Sequence, residues 1–156
     1  MKRNTSASNR SLKMLAAIAL GCVAMYSGCS GGAAVSGEQD QLRAALKILG
    51  LEYGKFLAEH NAPPKDEAAM RDYLQSRMSD LSAYGVKNVD DLLRHGRDGQ
   101  PLQVIYGQTV AAPDKPEYPW AAYEQSGVDG MRLAVNVRGG VQELGAAEFS
   151  QQIPIK

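Results

Sequence analysis

The chain has 156 residues, with 17 basic and 17 acidic side chains, a formal charge of zero and two cysteines. That length suits one hydrophobic core rather than two. The charge balance lacks the basic excess of a nucleic-acid surface, and the largest basic grouping, Arg94-His95-Gly96-Arg97, stands beside Asp90, Asp91 and Asp98.

The chain opens on its strongest signal. Lys2, Arg3, Arg10 and Lys13 precede or open an apolar run, Met14–Tyr26, and no acid occurs before Glu38. Basic residues, a short apolar segment and then small residues form a secretory signal peptide. A buried helix is the plainer reading of 13 apolar residues, but it leaves the one-sided charge before them unexplained. The run is too short for a membrane span, which needs about 20 residues. No second apolar run follows.

The run ends at Ser27-Gly28-Cys29, which resembles the lipobox of bacterial lipoproteins. The resemblance implies a diacylglycerol on the Cys29 thiol, loss of residues 1–28, and a further acyl chain, such as palmitate, on the new N-terminus. That family prefers Leu three residues before the cysteine, where this chain has Tyr26. Cys22, after Ala19-Leu20-Gly21, is a rival, but cutting there leaves the apolar Val23–Tyr26 exposed. Plain soluble secretion is the third alternative. Two or more acyl chains anchor stably where one is marginal, each buried methylene contributing about 0.8 kcal/mol. The implied partner is membrane lipid through Cys29, and the implied place is the periplasmic face of the envelope, at the outer membrane.

Losing residues 1–28 removes four basic residues and no acid, leaving 13 basic and 17 acidic side chains and a net charge of −4. With Cys22 removed and Cys29 lipidated, no thiol is left for a disulfide, so the core alone holds the domain. Residues 29–37, rich in Gly, Ala and Ser, are expected to be a lipidated flexible tether, and residues 38–156 a single globular domain.

Within that domain, Leu42, Leu46, Leu49, Tyr53, Phe56 and Leu57 recur at helical spacing over Glu38–Glu59 and predict an amphipathic helix of about 20 residues. Gly50 and Gly54 weaken it by about 1 kcal/mol each relative to Ala. They share one face, which suits either close backbone approach or a chance weak spot. Asn61-Ala62-Pro63-Pro64 ends the helix. Asp66 caps a second, with Met70, Tyr73, Leu74, Met78 and Leu81 as its apolar positions and a stop near Ser82–Gly85. Asn88 and Asp91 approximate a capping box for one or two further turns.

The period then changes. A turn at Arg97–Pro101 leads into a strand at Leu102–Tyr106. Ala111–Pro119 holds three prolines and reads as an extended loop or a poor edge strand. Strands follow at Trp120–Glu124, Met131–Val137 and Val141–Leu144, the last two joined by a tight reversal at Arg138-Gly139-Gly140, and Gly145–Gln152 is a short helical turn. Helices first and antiparallel strands after indicate an α+β fold: two amphipathic helices packed on one face of a sheet of about four strands.

Asp98-Gly99-Gln100-Pro101-Leu102 resembles the D-G-x-P turn that enters a strand in the globular heads of type II secretion pseudopilins, and Met131–Leu144 resembles a late hairpin of those heads. The likeness spans Glu38–Leu144 in architecture and a dozen residues in motif. It implies a head of one long helix laid against an antiparallel sheet. Those proteins open with a Gly, an aromatic residue and a Glu at the fifth position, ahead of a long apolar helix; here the lipobox stands in that place.

Residues that carry chemistry are sparse. His60 and His95 are far apart and neither has Cys or His at metal spacing. Asp90, Asp91 and Asp98 do not follow a calcium-loop pattern, and capping accounts for Asp91. There is no Gly-x-Ser-x-Gly elbow and no phosphate-binding loop. Glu143 and Glu148 are a carboxylate pair of the sort glycoside chemistry uses, in a domain small for a sugar cleft. No catalytic residue, cofactor or metal site is therefore expected. Tyr106, Tyr118, Trp120 and Tyr123 gather around the proline loop; they make either an exposed binding patch or an anchor of the loop on the sheet. The expectation is a lipid-anchored, non-enzymatic envelope protein with a structural or interaction role. A pseudopilin-like accessory of a secretion apparatus and a small hydrolase or sugar-binding domain are the alternatives.

Overall fold

Helix α1 (Gly32–His60) is the spine of the domain. In the computed structural model, residues 32–112 and 115–153 are described; the expected signal peptide 1–28 and Cys29 lie outside them. The helix takes in residues 32–37, which composition had assigned to the tether. Once the packed turns from Leu42 onward exist, each added residue costs only propagation, and Ala33 and Ala34 are the best helix formers. Leu42, Ala45, Leu46, Leu49, Tyr53 and Phe56 form its buried stripe. Asn61 then takes a left-handed φ of 53°, and Pro63-Pro64 keep the chain from resuming the helix.

The expected second helix is present but broken. α2 (Glu67–Ser76) starts on Asp66, whose side chain accepts from the Ala69 N–H at 2.8 Å. The helix tightens at Arg77, whose N–H bonds the Leu74 carbonyl, and α3 (Met78–Ser82) follows as a separate piece. The Asn88–Asp91 box forms in both directions around a single 3₁₀ turn, Val89–Asp91. Met70, Leu74, Leu81, Val86, Val89 and Leu92 lie against the α1 stripe in one core.

The sheet is antiparallel throughout. β1 (Gln103–Val104), β3 (Lys115–Tyr123), β4 (Met131–Asn136) and β5 (Val141–Gly145) lie in that order, and β2 (Val110–Ala112) also pairs with β3. That makes five strands where about four were expected. The added strand is β2, and Lys115–Pro119 of the proline-rich stretch is the first half of the internal strand β3 rather than an extended loop or a poor edge strand. Proline is tolerated there because its fixed φ suits an extended chain and its carbonyl still accepts; the Pro119 oxygen takes the Val137 N–H.

A register shift between Trp120 and Ala122 turns both Ala121 and Ala122 to the α1 side and leaves Trp120 and Tyr123 on the other. That second face is not open to water. Helix α4 (Ala146–Gln152) covers it, and Ile105, Val110, Trp120, Tyr123, Ala134, Leu144, Phe149 and Ile153 make a second core. The α+β class stands, but the sheet is covered on both faces rather than one. The alternation in β4 follows, with Leu133 and Val135 facing α1 and Ala134 facing α4.

Gly50 and Gly54 meet the sheet. A Cβ at Gly50 would lie 2.5 Å from the Asn136 carbonyl oxygen and 2.6 Å from Val135 Cγ2, and one at Gly54 would run into the Val137 carbonyl. The two glycines let the α1 backbone rest directly on β4 and the residues that follow it.

Candidate functional site

The densest polar arrangement lies where the loop 94–99, the turn 126–130 and the first described turns of α1 meet. An open groove of about 750 Å³ there is lined by Glu38, Leu42, Arg94, His95, Arg97 and Asp129, among others. Behind it stands Glu124, with no exposed side-chain surface. Its Oε1 accepts the Arg97 backbone N–H at 2.7 Å, and its Oε2 accepts the Leu133 N–H and Arg97 Nη2, both at 2.8 Å. Arg97 Nε lies 3.1 Å from both carboxylate oxygens. Close approach is possible because residue 96 is glycine; a Cβ there would stand 2.9 Å from Glu124 Cγ.

The network continues outward. Arg97 Nη1 donates to Glu143 Oε1 at 2.5 Å and Nη2 to the Met131 carbonyl at 3.1 Å. Glu143 Oε2 accepts from Arg43 of α1 at 3.0 Å. The hydrogen bond from Arg97, ahead of the cost of burial, holds the Glu143 carboxyl below its ordinary range. Next to it, Asp98 accepts the N–H groups of Gln100, Ser126 and Gly127 at 2.7 to 2.9 Å. Burial pushes the Asp98 carboxyl up, but those backbone donors together outweigh it and leave it low. This arrangement neutralises charge inside the fold and ties α1, the 94–99 loop, β3, β4 and β5 together. Both oxygens of Glu124 already have partners, so the carboxylate is a structural acceptor.

The other polar residues separate into local roles. Asp90 pairs with Arg71 at 2.7 Å, Asp91 accepts the Lys87 and Asn88 N–H groups in the capping box, and Asp98 holds the 126–127 backbone, so the three acids do not converge. No cluster of three or more metal-ligating side chains occurs among the described residues. His60 stacks on Phe56 at 4.1 Å, and its Nδ1 lies 3.0 Å from the Phe56 carbonyl oxygen. His95 is exposed on the groove wall. Glu148 bonds Gln152 on α4, while Glu143 serves the two arginines.

The four aromatic residues do not make an exposed patch. Trp120 is 1% and Tyr123 8% exposed, both in the α4-side core, where Tyr123 meets Phe149 edge-on at 5.1 Å. Tyr106 packs at the margin of the α1-side core. Tyr118, half-buried like Tyr106, lies 5.4 Å from the Arg138 guanidinium. Trp120 and Tyr123 are thus core side chains of β3, and Tyr106 and Tyr118 keep part of their surface.

Sequence reasoning missed Glu124. At the end of a strand and before Gln125-Ser126-Gly127 it reads as a solvated turn residue; no local signal announces a carboxylate buried by a loop 27 positions earlier. Cys29 lies outside the described residues, and no helix among them is long and apolar enough to cross a membrane. No family model, no curated protein and no solved structure matches the chain.

Proposed function

We propose that the protein is a lipid-anchored, non-enzymatic component of a bacterial envelope, held by Cys29 at the periplasmic face of the outer membrane, with a structural or interaction role. The observation that carries this is the order of the first 29 residues: four basic side chains, 13 apolar positions, then Ser27-Gly28-Cys29.

Intact mass of the membrane-extracted protein tests the anchor. A mass starting at residue 29 plus lipid, lost together with membrane retention in Cys29→Ala, is expected. An unlipidated mass starting elsewhere sinks the reading and makes this a soluble exported domain.

One observation favours a second reading. A 29-residue helix laid along an antiparallel sheet is the architecture of a pseudopilin-like head, so the domain could serve as an accessory of a secretion apparatus. Crosslinking of the full chain in its own envelope would separate the two: regular ladders of the protein with itself favour the accessory, and their absence the solitary anchored domain.

A further inference from the structure

Leu51, 40% exposed, and Tyr84, 70% exposed, are two of the three large apolar side chains that stand open among the described residues. Both line one groove of about 290 Å³ along the exposed side of α1, which also takes in Ala44, Lys47, Ile48 and Lys55. Leu51 lies against Gly139, in the turn between β4 and β5: a Cβ there would stand 2.9 Å from its Cγ.

Two lysines and one carboxylate line this groove. Lys47 and Lys55 are eight residues apart, about 12 Å along the helix axis. The carboxylate in the lining, Glu52, has 4% of its side chain exposed and lies 2.6 Å from Lys55 Nζ and 3.6 Å from Arg77 Nε. Lys47 forms no ion pair among the described residues. The groove so offers apolar contact between two ammonium groups, that of Lys47 without an ion pair among the described residues and that of Lys55 shared with the buried Glu52, and no open carboxylate in its lining, on a domain whose net charge without residues 1–28 is −4.

A second copy of the chain is a poor occupant. Antiparallel pairing of two α1 helices about a two-fold axis at Leu51 sets Lys47 against Lys55, and parallel pairing sets each lysine against itself. Both put like charges across the contact.

We infer that this groove docks an amphipathic helix of a partner polypeptide, with apolar side chains at i, i+3 and i+4 over Leu51 and flanking carboxylates on Lys47 and Lys55. The inference rests on the interaction role proposed above and names its surface.

The test is a fluorescence-anisotropy titration of the full-length protein in phosphatidylethanolamine nanodiscs, or in buffer if the mass shows no lipid. The probes are two 15-residue labelled helical peptides with the same leucine stripe, one flanked by glutamates and one by lysines; empty nanodiscs are the control. The glutamate peptide is expected to bind about tenfold tighter than the lysine peptide, and Leu51→Asp to weaken it by about tenfold. Lys47→Glu, at an exposed side chain with no ion pair among the described residues, is expected to erase most of the preference. Equal binding of the two peptides overturns the inference. So does binding that Leu51→Asp leaves intact, binding matched by empty nanodiscs, or a concentration-dependent dimer of the protein that Leu51→Asp abolishes. The anchor is read by mass and the docking by anisotropy, so either can fail while the other stands.

Discussion

The guanidinium of Arg97 closes on the carboxylate of Glu124 across 27 positions of sequence, with Nη2 at 2.8 Å from one oxygen and Nε at 3.1 Å from both. Arg97 has 15% of its side chain exposed and Glu124 none. A pair so far from water is costly to break from one side, because the survivor keeps its desolvation cost without its counter-charge. Glu124→Leu and Arg97→Met should each lower unfolding free energy by about 3–5 kcal/mol, and the double variant should lose much less than the sum. Urea midpoints of the four proteins measure this; additive losses would show that the two residues act separately.

The glycines of α1 give the opposite of the helix-propensity expectation. An exposed helical Gly→Ala change gains about 1 kcal/mol. At Gly54 the new methyl meets the Val137 carbonyl, and at Gly50 it meets Asn136 and Val135. Both substitutions should destabilise by about 1–3 kcal/mol through overpacking. Gly37, which has nothing within 4 Å of an added Cβ, is the control and should gain. Thermal melts of the three variants decide it, and a rise in Tm at Gly54→Ala would mean that the helix does not rest on β4 as described.

Acid should act through Glu143 and Asp98. Both carboxyls lie below their ordinary values in the folded protein, Glu143 through Arg97 and Asp98 through backbone donors that overcome its burial. A depressed carboxyl stabilises fully above its unfolded pKa and loses that contribution as pH falls through the folded one. The contribution of these two groups to the urea midpoint should therefore be flat between about pH 7 and pH 5 and decline below about pH 4. Glu143→Gln and Asp98→Asn should each flatten that decline; unchanged acid sensitivity in both would assign it elsewhere.

Alkali should act through tyrosine. Burial, followed by the charge of Glu59, pushes Tyr73 up to about 12, and burial, followed by Glu67, does the same for Tyr106. Tyr53, buried with its hydroxyl donating to the Ile105 carbonyl at 2.6 Å, is raised further. A raised tyrosine contributes stability that is present below about pH 10 and lost as pH climbs through the folded value. Absorbance at 295 nm should show a fraction of tyrosinate that appears late and coincides with loss of far-ultraviolet circular dichroism. Full ionisation of all tyrosines near pH 10 with the fold intact would contradict this.

Much of the architecture follows from local pattern. The α1 stripe, the Asp66 cap, the Asn88–Asp91 box and the alternation in Met131–Asn136 depend on neighbours within four positions, and their side chains or spacing announce them. The sequence of the first 29 residues likewise carries the whole case for export and lipid attachment, because signal and lipobox are read as linear segments.

Tertiary structure decided the rest, through contacts between residues far apart in the chain. Pro116 and Pro119 look like loop residues until β2 pairs with β3 on either side of them and the Val137 N–H reaches the Pro119 carbonyl. Gly50 and Gly54 read equally as weak spots or as contact points until β4 lies against them, since a missing side chain leaves no pattern of its own. Trp120 and Tyr123 fall inside because the shift at Ala121–Ala122 turns them toward α4. Glu124 became a buried acceptor only when Gly96 let the loop at Arg97 fold over it, and a charge that is favourable only after its partner arrives cannot be told in advance from one left in water.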